Sequence, residues 1–199
     1  MPDDATARDT LADETLARLK RVDALLEGHF QLSSGRHSDR YVQCARLLMH
    51  PVEAEPACKA LADKLRPHGI DLVVGPAMGG IVVAYEVGRQ LGVPAVFTER
   101  QDGEMTLRRG FSLEPGTRVA VIEDVVTTGG SALEVFALLK SLGADVVAAA
   151  SLVQRAASSP FDVPYETLLP LTVQSWAADE CPLCKAGGKA VKPGSRPGA

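Results

Sequence analysis

With 199 residues and a mass of 21.0 kDa, the chain is long enough to bury roughly 70% of its unfolded surface and to hold a core without disulfides. Its composition is 46% hydrophobic and 23% charged, with a net charge of −4, which excludes a general nucleic-acid binder with its basic excess. Apolar runs such as Ile81–Tyr85 and Val146–Ala150 fall far short of the ~20 residues that cross a bilayer, and the Met1-Pro2-Asp3-Asp4 start lacks the basic-then-apolar layout of a signal peptide. A soluble, cytoplasmic protein with no nucleic-acid or membrane partner is expected.

In chain order, Ala12, Leu16, Leu19, Val22 and Leu26 recur at helical spacing and predict an amphipathic helix over 6–27. Residues 29–43 carry short apolar alternation around a Ser33-Ser34-Gly35 turn, which predicts a pair of short strands. A second helix is expected from Pro51, suited to a first helical turn, to Arg66. From there the pattern is regular: a strand over 70–74, a loop Gly75-Pro76-Ala77-Met78-Gly79-Gly80, a helix over 81–91 closed by Gly92, and a strand over 94–98. Residues 99–117 read as a long loop or an exposed hairpin. A strand over 118–122 leads into Glu123-Asp124-Val125-Val126-Thr127-Thr128-Gly129-Gly130, then a helix over 131–142 stopped by Gly143. The small apolar residues of 146–153 suit a strand covered on both faces, and 166–173 offers a last strand. Strands alternating with helices of ten to fifteen residues imply right-handed βαβ units and a parallel α/β sheet. One domain over 1–199 is expected: an N-terminal helix and hood over 1–50, an α/β core over 51–175, and an irregular Gly/Pro-containing tail over 176–199.

Ligands bind beyond the carboxyl ends of the strands in such a sheet. No GxGxxG and no glycine loop ending in Gly-Lys-Ser/Thr is present, which argues against a dinucleotide enzyme or a Walker-type ATPase. The 123–131 segment is more informative. Its glycine turn, hydroxyls and helix N-terminus form a phosphate cradle, because the unpaired N–H groups there carry partial positive charge. The adjacent carboxylates Glu123 and Asp124 repel a phosphate, so they suit sugar hydroxyls or a bound metal. A phosphorylated sugar is the ligand implied; a capped helix beside solvated acids is the bland alternative.

Of four cysteines, Cys181 and Cys184 form a CxxC. A zinc ribbon needs a second CxxC, and all four histidines lie far upstream, at His29, His37, His50 and His68. The motif therefore reads first as a structural knuckle, with a metal half-site or a redox pair as alternatives, and no protein-held metal is assigned.

Val121-Ile122-Glu123-Asp124-Val125-Val126-Thr127-Thr128-Gly129-Gly130-Ser131 resembles the phosphoribosyl pyrophosphate motif of type I phosphoribosyltransferases. Within that family, Phe30-Gln31-Leu32-Ser33-Ser34-Gly35-Arg36-His37-Ser38 looks like the hood of orotate phosphoribosyltransferases. Gly75–Gly80 resembles their pyrophosphate loop, and Arg155 sits where they hold an arginine for orotate. The likeness spans residues 10–184. It is nearest a bacterial branch typified by Thermus enzymes, through Thr106-Leu107-Arg108-Arg109-Gly110 and the CxxC tail.

The resemblance implies a type I phosphoribosyltransferase fold and transfer of ribose 5-phosphate from phosphoribosyl pyrophosphate to orotate, giving orotidine 5′-phosphate and pyrophosphate in pyrimidine (UMP) biosynthesis. It further implies Mg²⁺ and a homodimer. Carried over by residue, Glu123 and Asp124 would hold ribose hydroxyls. Val125 and Val126 would belong to the donor site, and Thr127, Thr128, Gly129, Gly130 and Ser131 would wrap the 5′-phosphate, with Thr127 also near the base. Arg155 would pair with the orotate carboxylate, and Ala77, Met78 and Gly79 would face pyrophosphate. Three departures stand out. Gly79 and Ser33 replace lysines found in many members, and the mobile loop has only Arg108 and Arg109, with Arg100 before it, where two lysines and a histidine are common. Those arginines and Asp124 are the catalytic candidates; solvated loop charges are the bland alternative for Arg108 and Arg109. A purine phosphoribosyltransferase and a non-catalytic sensor of phosphoribosyl pyrophosphate compete with the orotate reading.

Overall fold

Alternation along the apolar strands divides the core into two layers. Val73, Ala120, Ile122, Ala148, Ala150 and Leu152 face one way, and Val74, Val119, Val121 and Ala149 the other. That is the period of two expected of strands covered on both faces. The computed structural model describes residues 4–32 and 34–193. It arranges the main sheet as β5-β4-β3-β6-β7-β8, from β3 (Leu72–Pro76), β4 (Ala95–Gln101), β5 (Glu104–Leu107), β6 (Arg118–Val126), β7 (Asp145–Gln154) and β8 (Tyr165–Pro170). All neighbours pair parallel except the edge strand β5, so the α/β expectation holds.

The first layer is covered by α1 (Asp4–Arg21), α2 (Cys44–Leu48), α3 (Pro51–Leu65) and α4 (Gly79–Leu91), through fully buried Leu19, Leu47, Leu61, Leu65, Val83 and Val87. The second is covered by α5 (Gly130–Ser141) through Val135, Phe136 and Leu139. Burying each such side chain stabilises the fold by ~1.5–3 kcal/mol. No helix among the described residues is long and apolar enough to cross a membrane.

A smaller antiparallel sheet, β1-β2-β9, joins β1 (Leu25–Gln31), β2 (His37–Val42) and the two-residue β9 (Ser175–Trp176). The hood is therefore the strand pair expected, but the first helix ends earlier than its spacing predicts. Arg21 closes it, Asp23 takes a positive φ, and Leu26 belongs to β1. Helical periodicity runs across this turn because Leu26 suits either element. The helix α2, the strand β9 and α6 (Pro182–Lys185) have no sequence signal long enough to announce them. The 99–117 segment is a hairpin at its start. Asp102 and Gly103 both take positive φ, the two-residue turn that Asp-Gly favours between antiparallel strands.

Candidate active site

The turn after β3 is shaped by contact. A Cβ on Gly75 would fall inside the Gly80 carbonyl, and one on Gly79 would lie 2.5 Å from Asp124 Oδ1. The Ala77 N–H donates to the Thr98 carbonyl at 2.7 Å, while Met78 projects outward, 83% exposed. The lysine missing at position 79 thus has a physical counterpart: any side chain there must displace the Asp124 carboxyl.

Sequence spacing places Glu123 and Asp124 just past a strand. Instead β6 continues to Val126, pairing Glu123 with Ser151 and Val126 with Gln154. The pleat then sends the two carboxyls to opposite faces. Asp124 turns toward Gly79 and accepts the Val125 N–H at 2.8 Å. Glu123 instead lines a cleft of about 160 Å³ with Thr127, Thr128, Gly129, Gly130 and Ser131. Both carboxyls titrate above the ordinary range because burial disfavours their charged forms. Glu123 is pushed up from 4.5 to about 8, with the neighbouring Asp124 charge adding to desolvation.

The cradle expected from the sequence falls at the head of α5. Gly129 takes φ +78°, and a Cβ there would lie 2.6 Å from Pro160 Cγ, so both conformation and space require glycine. The first-turn N–H groups of α5 have no partners within the helix and open on the Glu123 side of the cleft, a natural anion seat.

Arg155 follows β7, its N–H bonded to the Val126 carbonyl at 2.7 Å. Its Nε is buried without a hydrogen-bond partner among the described residues. Burial lowers the guanidinium pKa, and the nearby Tyr41 phenol of β2 partly offsets this. Tyr41 is a hood residue that sequence reasoning did not single out; its electrostatic influence on Arg155 links β2 to the residue that follows β7. An unpaired, half-buried guanidinium here is ready for an anion.

The remaining arginines are engaged elsewhere. Arg100 forms an ion pair with Glu134 of α5 at 2.7 Å and donates to the Gly103 carbonyl at 2.9 Å. Arg109 grips Glu99 through two bonds of 2.9 and 3.1 Å, and Arg108 lies 3.7 Å from the same carboxylate. Neither Arg108 nor Arg109 bonds to the 123–131 segment among the described residues. Glu99 and Glu134 are partners that spacing alone could not reveal. The departure noted at Ser33 lies outside the described residues.

The Glu123 pKa makes stability depend on pH. The folded chain keeps a proton that the unfolded chain releases, so stability falls as pH rises from about 4.5 toward about 8. Glu123→Gln should therefore raise the melting temperature of the ligand-free protein at pH 8 by roughly 3–6 °C and leave it unchanged near pH 4. Calorimetry showing the same gain at both pH values would assign the effect to packing instead.

These features, a parallel sheet with an anion cradle and acid pair at its carboxyl edge, define a phosphoribosyltransferase. A model described as "Phosphoribosyl transferase domain" matches residues 50–183. Orotate phosphoribosyltransferases of Heliobacterium modesticaldum and Desulforamulus reducens are 55% identical over 188 residues and 50% over 185, each covering 92% of this chain and 98% and 97% of their own. The crystal structure of orotate phosphoribosyltransferase from Aeropyrum pernix superposes with a TM-score of 0.66 at 28% identity, over 76% of this chain and 90% of that one. The chain belongs to the orotate phosphoribosyltransferase family.

Proposed function

We propose that the chain catalyses the reaction its family is named for, transferring ribose 5-phosphate from phosphoribosyl pyrophosphate to orotate with release of pyrophosphate, within one catalytic domain. Near 50% identity over almost the whole chain supports the assignment, and the unpaired Arg155 carries the choice of base. Orotate offers a carboxylate that a planar guanidinium can hold through two bonds; a purine base has none.

Thr127–Ser131 would hold the 5′-phosphate against the N-terminus of α5, with Thr127 also near the base, and Glu123 and Asp124 would engage the ribose hydroxyls from either face of β6. Ala77, Met78 and Gly79 would present the β3 turn to the pyrophosphate. Bond breaking at the anomeric carbon builds positive charge on the ribose and negative charge on pyrophosphate. Fixed groups aimed at those charges lower the barrier. Arg100, Arg108 and Arg109 are the cations that would meet the leaving group by exchanging Glu134 and Glu99 for its oxygens, which requires the β4–β5 hairpin and the loop after it to move. That closure would also keep water from the reacting carbon.

The donors fit Mg²⁺ in kind: both are oxygen ligands, Glu123 beside the phosphate seat and Asp124 on the opposite face of β6 toward Gly79, with pKa values raised by a burial that a cation would counteract. Glu123 and Asp124 would hold the ion together with the donor, and it would supply positive charge against the departing pyrophosphate.

A homodimer belongs to the same reading. Val52 on α3 and Met78, Val82 and Tyr85 on or beside α4 leave an apolar face uncovered, Val52 at 81% and Tyr85 at 66% exposure. Faces of this kind mark association surfaces, and a second copy is the occupant this symmetry favours. A cytoplasmic location suits the four free cysteines, which persist in a reducing compartment.

The test is pyrophosphate release with Mg²⁺ and phosphoribosyl pyrophosphate, adding orotate, uracil, adenine, hypoxanthine or xanthine separately. Release with orotate alone is expected, from a particle of twice the chain mass by light scattering. Release with a purine would overturn the role of Arg155, and donor binding with no release would favour a sensor.

A further inference from the structure

The CxxC that the sequence left without histidine partners acquires two of them in three dimensions. His29 lies in the irregular stretch of β1 between the pairs Glu27–Arg40 and Phe30–Ser38, and His37 opens β2 opposite Gln31. The two imidazoles meet with ring centroids 5.0 Å apart. Cys181 caps α6 and Cys184 lies in its single turn, which aims both sulfurs the same way. The four ligand atoms, one from each residue, lie within 4.8 Å of one another.

The spacings have a specific form. His29 Nε2 lies 3.0 Å from His37 Nδ1, 3.4 Å from Cys181 Sγ and 3.6 Å from Cys184 Sγ, and His37 Nδ1 lies 3.2 Å from Cys184 Sγ. A tetrahedral zinc centre with ordinary Zn–N and Zn–S bonds has edges of about 3.3 Å between nitrogens and about 3.6 Å between nitrogen and sulfur. Hydrogen bonding does not account for the convergence. An imidazole nitrogen offers one in-plane lone pair or one hydrogen, yet His29 Nε2 faces three partners. A cation at their common centre serves all four at once. His29 Nδ1 has no partner among the described residues, so that ring's polar engagement is directed through Nε2 into the cluster. Both cysteines are free thiols.

We propose that His29, His37, Cys181 and Cys184 form a structural Zn²⁺ site, separate from the substrate cleft, that staples the C-terminal segment to the hood. Two imidazoles and two thiolates in tetrahedral array select zinc among common divalent ions, and four protein ligands leave no open position for catalysis. The staple has a physical task. The C-terminal segment meets the hood through a two-residue strand, β9 on β2, a four-residue helix, and the Gln31–Val191–His29 backbone bonds of 2.8 Å. Elements so short do not persist unaided. Closing a long loop through a metal also limits the freedom of the unfolded chain.

The experiment uses untagged full-length protein purified without chelator and with reductant. Elemental analysis should find about one zinc per chain, falling below about 0.1 in Cys181→Ser/Cys184→Ser. Zinc returned to chelator-stripped protein should raise the melting temperature by about 5 °C or more. Should the double variant fail to fold, Co²⁺ added to stripped wild-type protein decides the matter: tetrahedral thiolate ligation gives strong visible bands and near-ultraviolet charge transfer. Folded wild-type protein that takes up neither metal, or that holds a Cys181–Cys184 disulfide under reductant, would overturn the site. The readouts are independent of catalysis, so they stand or fall apart from the assignment of orotate.

Discussion

Arg155→Ala is expected to raise the KM for orotate by about 30- to 150-fold while changing the KM for phosphoribosyl pyrophosphate by less than about threefold. The scale is that of one bidentate, charge-assisted pair, ~2–3 kcal/mol. The asymmetry follows from position. Arg155 leaves the sheet at the end of β7, with a buried Nε that has no partner among the described residues, whereas the seat proposed for the donor's phosphate is the 127–131 segment that follows the neighbouring strand β6. Because Arg155 forms no salt bridge among the described residues, the substitution should leave the melting temperature nearly unchanged. Arg155→Lys should recover only part of the loss, since an ammonium offers a point charge where a planar fork is needed. Steady-state kinetics varying each substrate at saturation of the other provides the check; equal increases in both KM values would remove the carboxylate role.

Asp124→Asn should weaken donor binding and turnover together, by about 10- to 100-fold in kcat/KM. Asparagine keeps the shape of the side chain against Gly79 and an oxygen to accept the Val125 N–H. What is lost is the charge, which on the proposed reading would serve the donor's hydroxyls and an accompanying Mg²⁺. Removing a carboxylate whose pKa burial has raised also relieves a cost of folding, so the ligand-free variant should be as stable as the parent or more so, a common exchange at functional sites. Donor titration by calorimetry, alongside a thermal melt, distinguishes the outcomes. Unchanged donor affinity would exclude the acid pair from the sugar site.

Much of this protein is legible in its amino-acid order alone. The continuous apolar runs of Val119–Ile122 and of 146–153 specify buried parallel strands, because only a sheet covered on both faces tolerates such runs. Gly129 and Gly130 ahead of a helical repeat specify an anion seat, since backbone N–H groups at a helix start need no side chain to act. The matching motif around them is enough to indicate the family.

Other features depend on segments far apart in sequence. The extension of β6 through Val126, which parts Glu123 from Asp124, depends on pairing with β7 and not on local propensity. Arg100 of β4 meets Glu134 only through the packing of the hairpin region near α5, whereas Arg109 meets Glu99 within the β4–β5 hairpin and the residue stretch just after it. Tyr41 of the hood acts electrostatically on Arg155 although the two lie far apart in sequence. The histidine–cysteine cluster is the extreme case: 152 positions separate Cys181 from His29. Local composition determines which face of each element is buried, whereas the partners of an exposed or polar group are decided by the packing that brings distant elements together.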